Sequence, residues 1–510
     1  MSQQHFKKRV LIIGYGSIGK AILPVIVKEF KLIPEQVTII AFDNNNAHTE
    51  LTRRLNINII NKELTLENYM EIVSPLVSKG DILINVSVDV SSLDLIELCQ
   101  ETGTLYLDTC IEPWKGFYYD EKLTPSERSN YALREKALEL KRKYGPAGVT
   151  AIIAHGANPG IVSHFTKQAL MNLANEIFGS PAATDSESEG SIAEAPIAAS
   201  PYVANANPNS FPKPTTQLEW ALLAQKLNIE SIHIAEYDWQ NVNVVRKPDE
   251  FFCTWSVDGF ISEGLQPSEL GWGTHEKTFP LDGGSHAYGQ GGAIYLNRPS
   301  FATMVRSWTP MAKQFQGHLV THNEAISIAN YLTVPSAAEA AAPSSPGGAV
   351  YRPTVHYAYR PISEAVMSVY DMEGNDYAIP SVRRVLVEEV VGGVDELGVL
   401  LMGHDKTTYW YGSHLSCSEA RIVAPYNNAT SLQVVGGIVA ALCWMIDNPS
   451  SGVVEAEEID HEYVLERAAP FLGPVGGYYS SWTPILNRRQ IFEDKHVDME
   501  SPFQFSNFRI

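Results

Sequence analysis

The chain has 510 residues, 45% hydrophobic and 19% charged, the mix of a globular protein with core enough for two or three domains. Its 58 acidic residues outnumber 38 basic ones, a net charge of −20 that excludes a general nucleic-acid binder, because phosphate backbones call for a basic surface. No uninterrupted apolar run of about 18 residues occurs, so no membrane span is expected.

The N-terminal residues 1–9 lead straight into a strand-like run at 9–13, without the apolar segment of a signal peptide. That run ends at glycine and is followed by helical spacing over 20–30. Further strands are expected at 37–42, 82–87, 105–108 and 149–154. Strands separated by helical stretches imply a parallel sheet with right-handed crossovers. From 180 to 214 Ser, Ala, Pro, Asn and Glu dominate and apolar periodicity disappears, which reads as a flexible insertion, and 335–348 reads the same way. Between them lie aromatic strand candidates at 231–237, 251–255 and 274–279. Residues 427–446 form an almost entirely apolar helix, as expected of one buried against a sheet. Five scattered cysteines without a CxxC pair read as reduced cytosolic thiols and supply no metal site.

Gly14, Tyr15, Gly16, Ser17, Ile18 and Gly19 spell GxGxxG between a strand and a helix. The glycines allow a tight turn, close approach of a pyrophosphate and close helix packing, and the helix N-terminus favours the phosphate charge. Asp43 ends the next apolar strand, where a carboxylate accepts ribose hydroxyls and repels a 2′-phosphate, so NAD is expected over NADP. Val86, Ser87 and Thr109 fall at strand ends on the edge where such sheets bind ligands, and Asp89 and Glu112 follow just after. Taken singly, these two acids read equally well as ordinary loop carboxylates. The turn His155–Gly160 carries Asn158 and is placed to close over a nicotinamide, although turn chemistry alone accounts for its Gly and Pro content.

Glu236, Trp255, Glu263, Glu269, Trp272 and Glu276 fall within about 40 residues, interspersed with glycines and aromatics. Acids beside a tryptophan face suit an ammonium group, by charge pairing and cation–π attraction. A core aromatic is the commoner fate of a tryptophan, and the residues alone leave both readings of Trp255 open. His322 precedes a helical run at 325–332. A capping cluster with Asn323 or Thr321 as the cap is the simpler reading, and a catalytic histidine the other.

Together with Ile111-Glu112-Pro113-Trp114, the long motifs at 254–267 and 270–275, Tyr351 to Tyr359 and Glu396 to Leu401, these stretches resemble bacterial homospermidine synthases. The resemblance covers nearly the whole chain apart from 180–214 and 335–348. It implies an α/β, saccharopine dehydrogenase-like fold: an NAD-binding Rossmann domain with an inserted α+β catalytic domain on a mixed sheet. The expected domains are 1–157, completed by about 415–455; a polyamine-binding domain over 158–414 carrying the two insertions; and a C-terminal extension over 456–510. The implied reaction joins two putrescines into homospermidine with release of ammonia, NAD being reduced and reoxidised within the cycle. The family roles fall on Glu236 and Glu263 as amine-binding carboxylates and on Trp255 as the cation–π wall. Asp89, Glu112, Asn158 and His322 become further pocket residues. The resemblance also implies a homodimer with putrescine and other polyamines as substrates; a cytoplasmic location, and no nucleic-acid or membrane partner, are expected from the thiols, the charge and the lack of a long apolar run.

Two other functions compete. A saccharopine or carboxynorspermidine dehydrogenase would need a cationic clamp for its substrate carboxylates, which Arg306 and Arg352 keep open. A catalytically silent NAD sensor would need the glycine turn but no acidic pocket.

Overall fold

A computed structural model describes residues 5–42, 50–179, 210–336, 348–488 and 497–510. Asp43 and most of both inserted stretches, 180–209 and 337–347, lie outside the described residues.

The alternating apolar runs of the first third form a seven-stranded sheet. Its order is Val453–Val454, Ala151–Ile152, Leu105–Asp108, Ile82–Asn85, Val10–Ile13, Val37–Ala41 and Asn58–Asn61. Every pairing in it is parallel, so its central strands are covered on both faces and read as apolar runs. The glycine turn, Val86, Thr109 and the loop beginning at His155 therefore all follow the carboxyl ends of parallel strands and share one edge.

One edge strand, Val453–Val454, comes from far along the chain. The buried guanidinium of Arg134 grips Glu455 at 2.7 and 3.0 Å and fixes this return. The apolar helix is Ala429–Asp447, capped by Asn428, whose side chain accepts from the Ser431 N–H. It is long and apolar enough to cross a membrane by length and composition. Most of it is nevertheless buried inside the protein, against the helices Ser17–Glu29 and His461–Ala468. Gly437 in this helix lies so close to the Gly156 carbonyl that a side chain would not fit, which sets the height of the His155–Gly160 turn.

The middle of the chain builds a ten-stranded mixed sheet. Its central pair, Ser231–Asp238 and Thr354–Arg360, is parallel, with Glu236 opposite Tyr359. Val394–Met402 lies antiparallel on the other side of Ser231–Asp238.

Three expectations change. Residues 274–279 form a turn rather than a strand: Gly273 lies against the Thr354 backbone, and the Lys277 N–H bonds to Gln504 instead of to a neighbouring strand. The 180–214 insertion ends sooner than its composition implies. The Phe211 N–H bonds to Asn175 at 2.7 Å, and Lys213 pairs with Glu462 at 2.8 Å. The 456–510 segment is more than an extension, because Val475–Ser480 forms the outer strand beside Thr408–Ser416, and Phe503, Phe505 and Phe508 fill the core beneath the sheet.

Candidate active site

The glycine turn presents backbone to an open edge. Gly14 has φ +95°, and a β-carbon there would meet the Val86 carbonyl at 2.7 Å, so only glycine lets the turn press against the neighbouring strand end. At Gly16 nothing lies within 4 Å of where a β-carbon would project. Gly16 is also the N-cap of Ser17–Glu29, and no side chain caps that helix. The start of this helix thus leaves room beside Gly16, the arrangement that takes a pyrophosphate. Tyr15 turns into the core and Ile18 packs against it, so these two offer only backbone to a ligand.

Around the cradle the edge is held firmly. The Ser87 hydroxyl donates to Asn85 at 2.5 Å. Next to Thr109, Asp108 accepts the Ala154 N–H at 2.6 Å and the Tyr106 hydroxyl at 2.8 Å. Burial pushes the Asp108 carboxyl up to about 7.

Across this edge stands Glu236, 2% exposed on the central strand of the second sheet. One of its oxygens accepts the Asn158 amide at 2.7 Å and the Tyr357 hydroxyl at 2.5 Å. Burial drives the Glu236 carboxyl up to about 8, against the pull of these two bonds, and nearby Asp238 adds to the rise. Beside it, His322 donates through Nδ1 to Glu324 and through Nε2 to Glu263, each at 3.1 Å. Burial alone would lower the imidazole, but the two carboxylates more than reverse this and hold it well above the usual histidine range. His322 is therefore a cation at neutral pH.

The capping reading of this cluster fails. His322 is itself the N-cap of Asn323–Tyr331 with no side-chain cap bond, and Thr321 donates to Glu269 instead.

A narrow pocket lies here, lined by Cys110, Glu112, Pro159, Ser262, Glu263 and His322 among others. One oxygen of Glu112 is buried without a hydrogen-bond partner. Burial, then Glu263 and Asp89, push this carboxyl up to about 8. Asp89 is half-buried in a left-handed backbone conformation, φ +66°, and burial raises it too, with Lys115 opposing. Trp255 sits between the strand Glu250–Cys253 and the helix Val257–Leu265 that carries Glu263. The half-buried indole packs on Phe260, while its N–H donates to the Tyr359 hydroxyl at 3.2 Å.

Not all the expected acids join the pocket. Glu269 accepts the backbone N–H groups of Asn130 and Tyr131 at 2.7 and 3.1 Å, pinning the start of Asn130–Tyr144. Glu276 takes the Thr354 hydroxyl at 2.6 Å and the Phe505 N–H, and Trp272 packs on Phe279 and Phe505. Glu269 thus ties the second domain to a helix of the first, and Glu276 and Trp272 hold the chain's last residues against the second. Arg306 donates to the carbonyls of Asn507 and Arg509, and Arg352 to Thr333, so neither lines the pocket.

Sequence reasoning gave no role to Tyr357, Glu324 or Cys110. The available signal for Tyr357 was its two-residue spacing from Tyr359, which puts both on one face of a strand.

A phosphate cradle on a parallel edge, facing a pocket of buried acids, defines a dinucleotide-dependent enzyme that handles a cationic substrate. The saccharopine dehydrogenase NADP binding domain matches residues 10–152, and the saccharopine dehydrogenase C-terminal domain matches 156–478. A homospermidine synthase of Blastochloris viridis is 44% identical over 98% of this chain and 96% of its own, and one of Mesorhizobium japonicum is 43% identical over the same shares. The solved homospermidine synthase of Legionella pneumophila, in complex with NAD, is 41% identical with a TM-score of 0.85, covering 100% of this chain and 99% of its own. The chain belongs to the homospermidine synthase family, within the saccharopine dehydrogenase-like proteins.

Proposed function

We propose that this chain is a transferase that joins two putrescines into homospermidine, releasing one ammonia, with NAD held on the Gly14–Gly19 turn. The open cradle at Gly16 and the uncapped helix behind it fit the pyrophosphate. Bound there, NAD supplies a hydride acceptor for the carbon next to an amine, and in its reduced form a hydride donor for an imine.

The chain's own groups carry the proton and charge work. Hydride leaves only a neutral amine, so the ammonium must first lose a proton. Glu236, whose carboxyl ionises near 8, accepts that proton in its ionised form, and Asn158 and Tyr357 hold the oxygen that receives it. Glu263 and the Trp255 face hold the ammonium at the far end, the first by charge and the second by cation–π attraction. His322, charged between Glu263 and Glu324, orients Glu263 and is placed to give a proton to departing ammonia. Asp89 and Glu112 keep the entrance acidic. We place this activity in the cytoplasm, in a homodimer.

The observation that carries this reading is the make-up of the pocket. Glu112, Glu263 and His322 line it next to Glu236, and among the described residues no lysine or arginine does. A carboxylate substrate of the dehydrogenase kind would find only His322, whose two ring nitrogens are already taken by Glu263 and Glu324. Incubation with putrescine and NAD alone tests it. Homospermidine and ammonia in equal amounts, without lasting NADH, is the expected result, and steady NADH accumulation would replace the synthase by a dehydrogenase.

A further inference from the structure

Tyr357 and Tyr359 alternate on the strand Thr354–Arg360, so both side chains leave the same face, and their rings stack at 5.3 Å between centroids. Both are nearly fully buried, 3% and 1% exposed. Each bonds to a different member of the amine site. The Tyr357 hydroxyl donates to Glu236 at 2.5 Å, and the Tyr359 hydroxyl accepts the Trp255 N–H at 3.2 Å. The Tyr357 ring also lies against His322, with centroids 4.6 Å apart. The stacked pair thus links the proton-accepting acid, the indole face and the charged histidine through one strand.

We propose that Tyr357 and Tyr359 are a positioning pair for the amine site: the Tyr357 hydroxyl steadies the Glu236 carboxylate, and the Tyr359 hydroxyl sets the angle of the Trp255 ring. This rests on the reading of Glu236 and Trp255 as amine-binding groups. Burial keeps both tyrosines un-ionised, so each hydroxyl is a permanent donor or acceptor. The charged and titratable groups facing Glu236 are Asp238 on its own strand, Asp395 on the adjacent strand Val394–Met402, Tyr357 and Tyr359 on the other neighbouring strand, and His322 at the head of Asn323–Tyr331. Asp238 and Asp395 disfavour its ionisation, and His322 and the Tyr357 hydroxyl favour it. Of the last two, only the hydroxyl can be removed without removing a charge.

The test uses Tyr357→Phe and Tyr359→Phe in the full-length enzyme, with Glu236→Gln as reference. Turnover and KM for putrescine are read from pH 6 to 10 beside melting temperature. The Glu236 carboxyl stretch is followed by infrared difference spectroscopy and assigned by its loss in Glu236→Gln. Tyr357→Phe should move the ionisation of Glu236, and with it the acidic limb of kcat, upward by about one pH unit, as for losing one hydrogen bond to a charged acceptor. Activity should therefore recover at high pH. Tyr359→Phe should leave the limb in place and raise KM for putrescine. An unmoved carboxyl band in Tyr357→Phe, with Glu236→Gln inactive, overturns the proposal alone. Full turnover in Glu236→Gln overturns the amine-site reading and the pair's role with it.

Discussion

Asn158, on the loop that leaves the parallel sheet, donates 2.7 Å to the Glu236 carboxylate on the central strand of the mixed sheet. One hydrogen bond thus ties the cofactor edge to the buried acid of the second domain. In the proposed reaction this bond would keep a group beside the cofactor and the proton-accepting acid at a fixed spacing, and orientation of that kind is what hydride transfer requires.

Asn158→Ala should therefore cost activity more than stability. A lost bond to a charged acceptor is worth about 1.5 to 3 kcal/mol, or roughly 10- to 100-fold in kcat/KM. Steady-state kinetics and melting temperature on the same preparation separate the two. A large drop in melting temperature with unchanged turnover per folded molecule would make the bond merely structural.

Trp255 stands half in the core, so its two roles predict different patterns. If the ring faces a substrate ammonium, activity should fall from Trp to Phe to Leu, by about 0.5 to 2 kcal/mol in total. Normal putrescine turnover per folded molecule in Trp255→Leu, with a lowered melting temperature, would leave the packing on Phe260 as its only task.

Glu112 carries a stability signature in pH. Its carboxyl ionises near 8 in the folded protein and near 4.3 when unfolded. The folded value is the raised one, so the contribution to stability is fully present below about 4.3 and is lost as pH rises towards 8. Glu112→Gln has no proton to lose. Between those limits it should gain on the unmodified protein by at most about 1.4 kcal/mol per pH unit. Denaturant unfolding of the cofactor-free protein at pH 5 and pH 8 measures this, and an equal stability difference at both would remove the buried charge from the account.

Gly16 and Gly14 should respond differently to the same change. Gly16→Val projects into open space and should keep the melting temperature while weakening NAD binding at least tenfold, because the β-carbon occupies the cradle. Gly14→Val meets the Val86 backbone and forces a positive φ on a branched residue, so it should lower both. Calorimetric titration with NAD checks each. Unimpaired NAD binding by a folded Gly16→Val protein would move the cofactor elsewhere.

The glycine turn, the alternating strands of the first domain and the buried helix at 427–446 could be read along the chain, because each depends on a few neighbouring residues. A tight turn needs glycine where φ is positive, and a strand covered on both faces needs a continuous apolar run. The acids were a different matter. Glu236, Glu263, Glu269 and Glu276 fall within about 40 residues of one another among aromatics, and only the assembled sheets distinguish them. Glu269 meets the start of Asn130–Tyr144 and becomes a helix pin, and Glu276 meets Thr354 and Phe505. Glu236 meets Asn158 and Tyr357, which are 78 and 121 positions away in the chain. A carboxylate's ionisation is set by burial and by the groups around it, and tertiary structure alone decides which groups those are. Local sequence settles a glycine turn and a supply of acids, and the packing of one sheet against the other selects Glu236 as the acid that meets Asn158 on the loop leaving the parallel sheet.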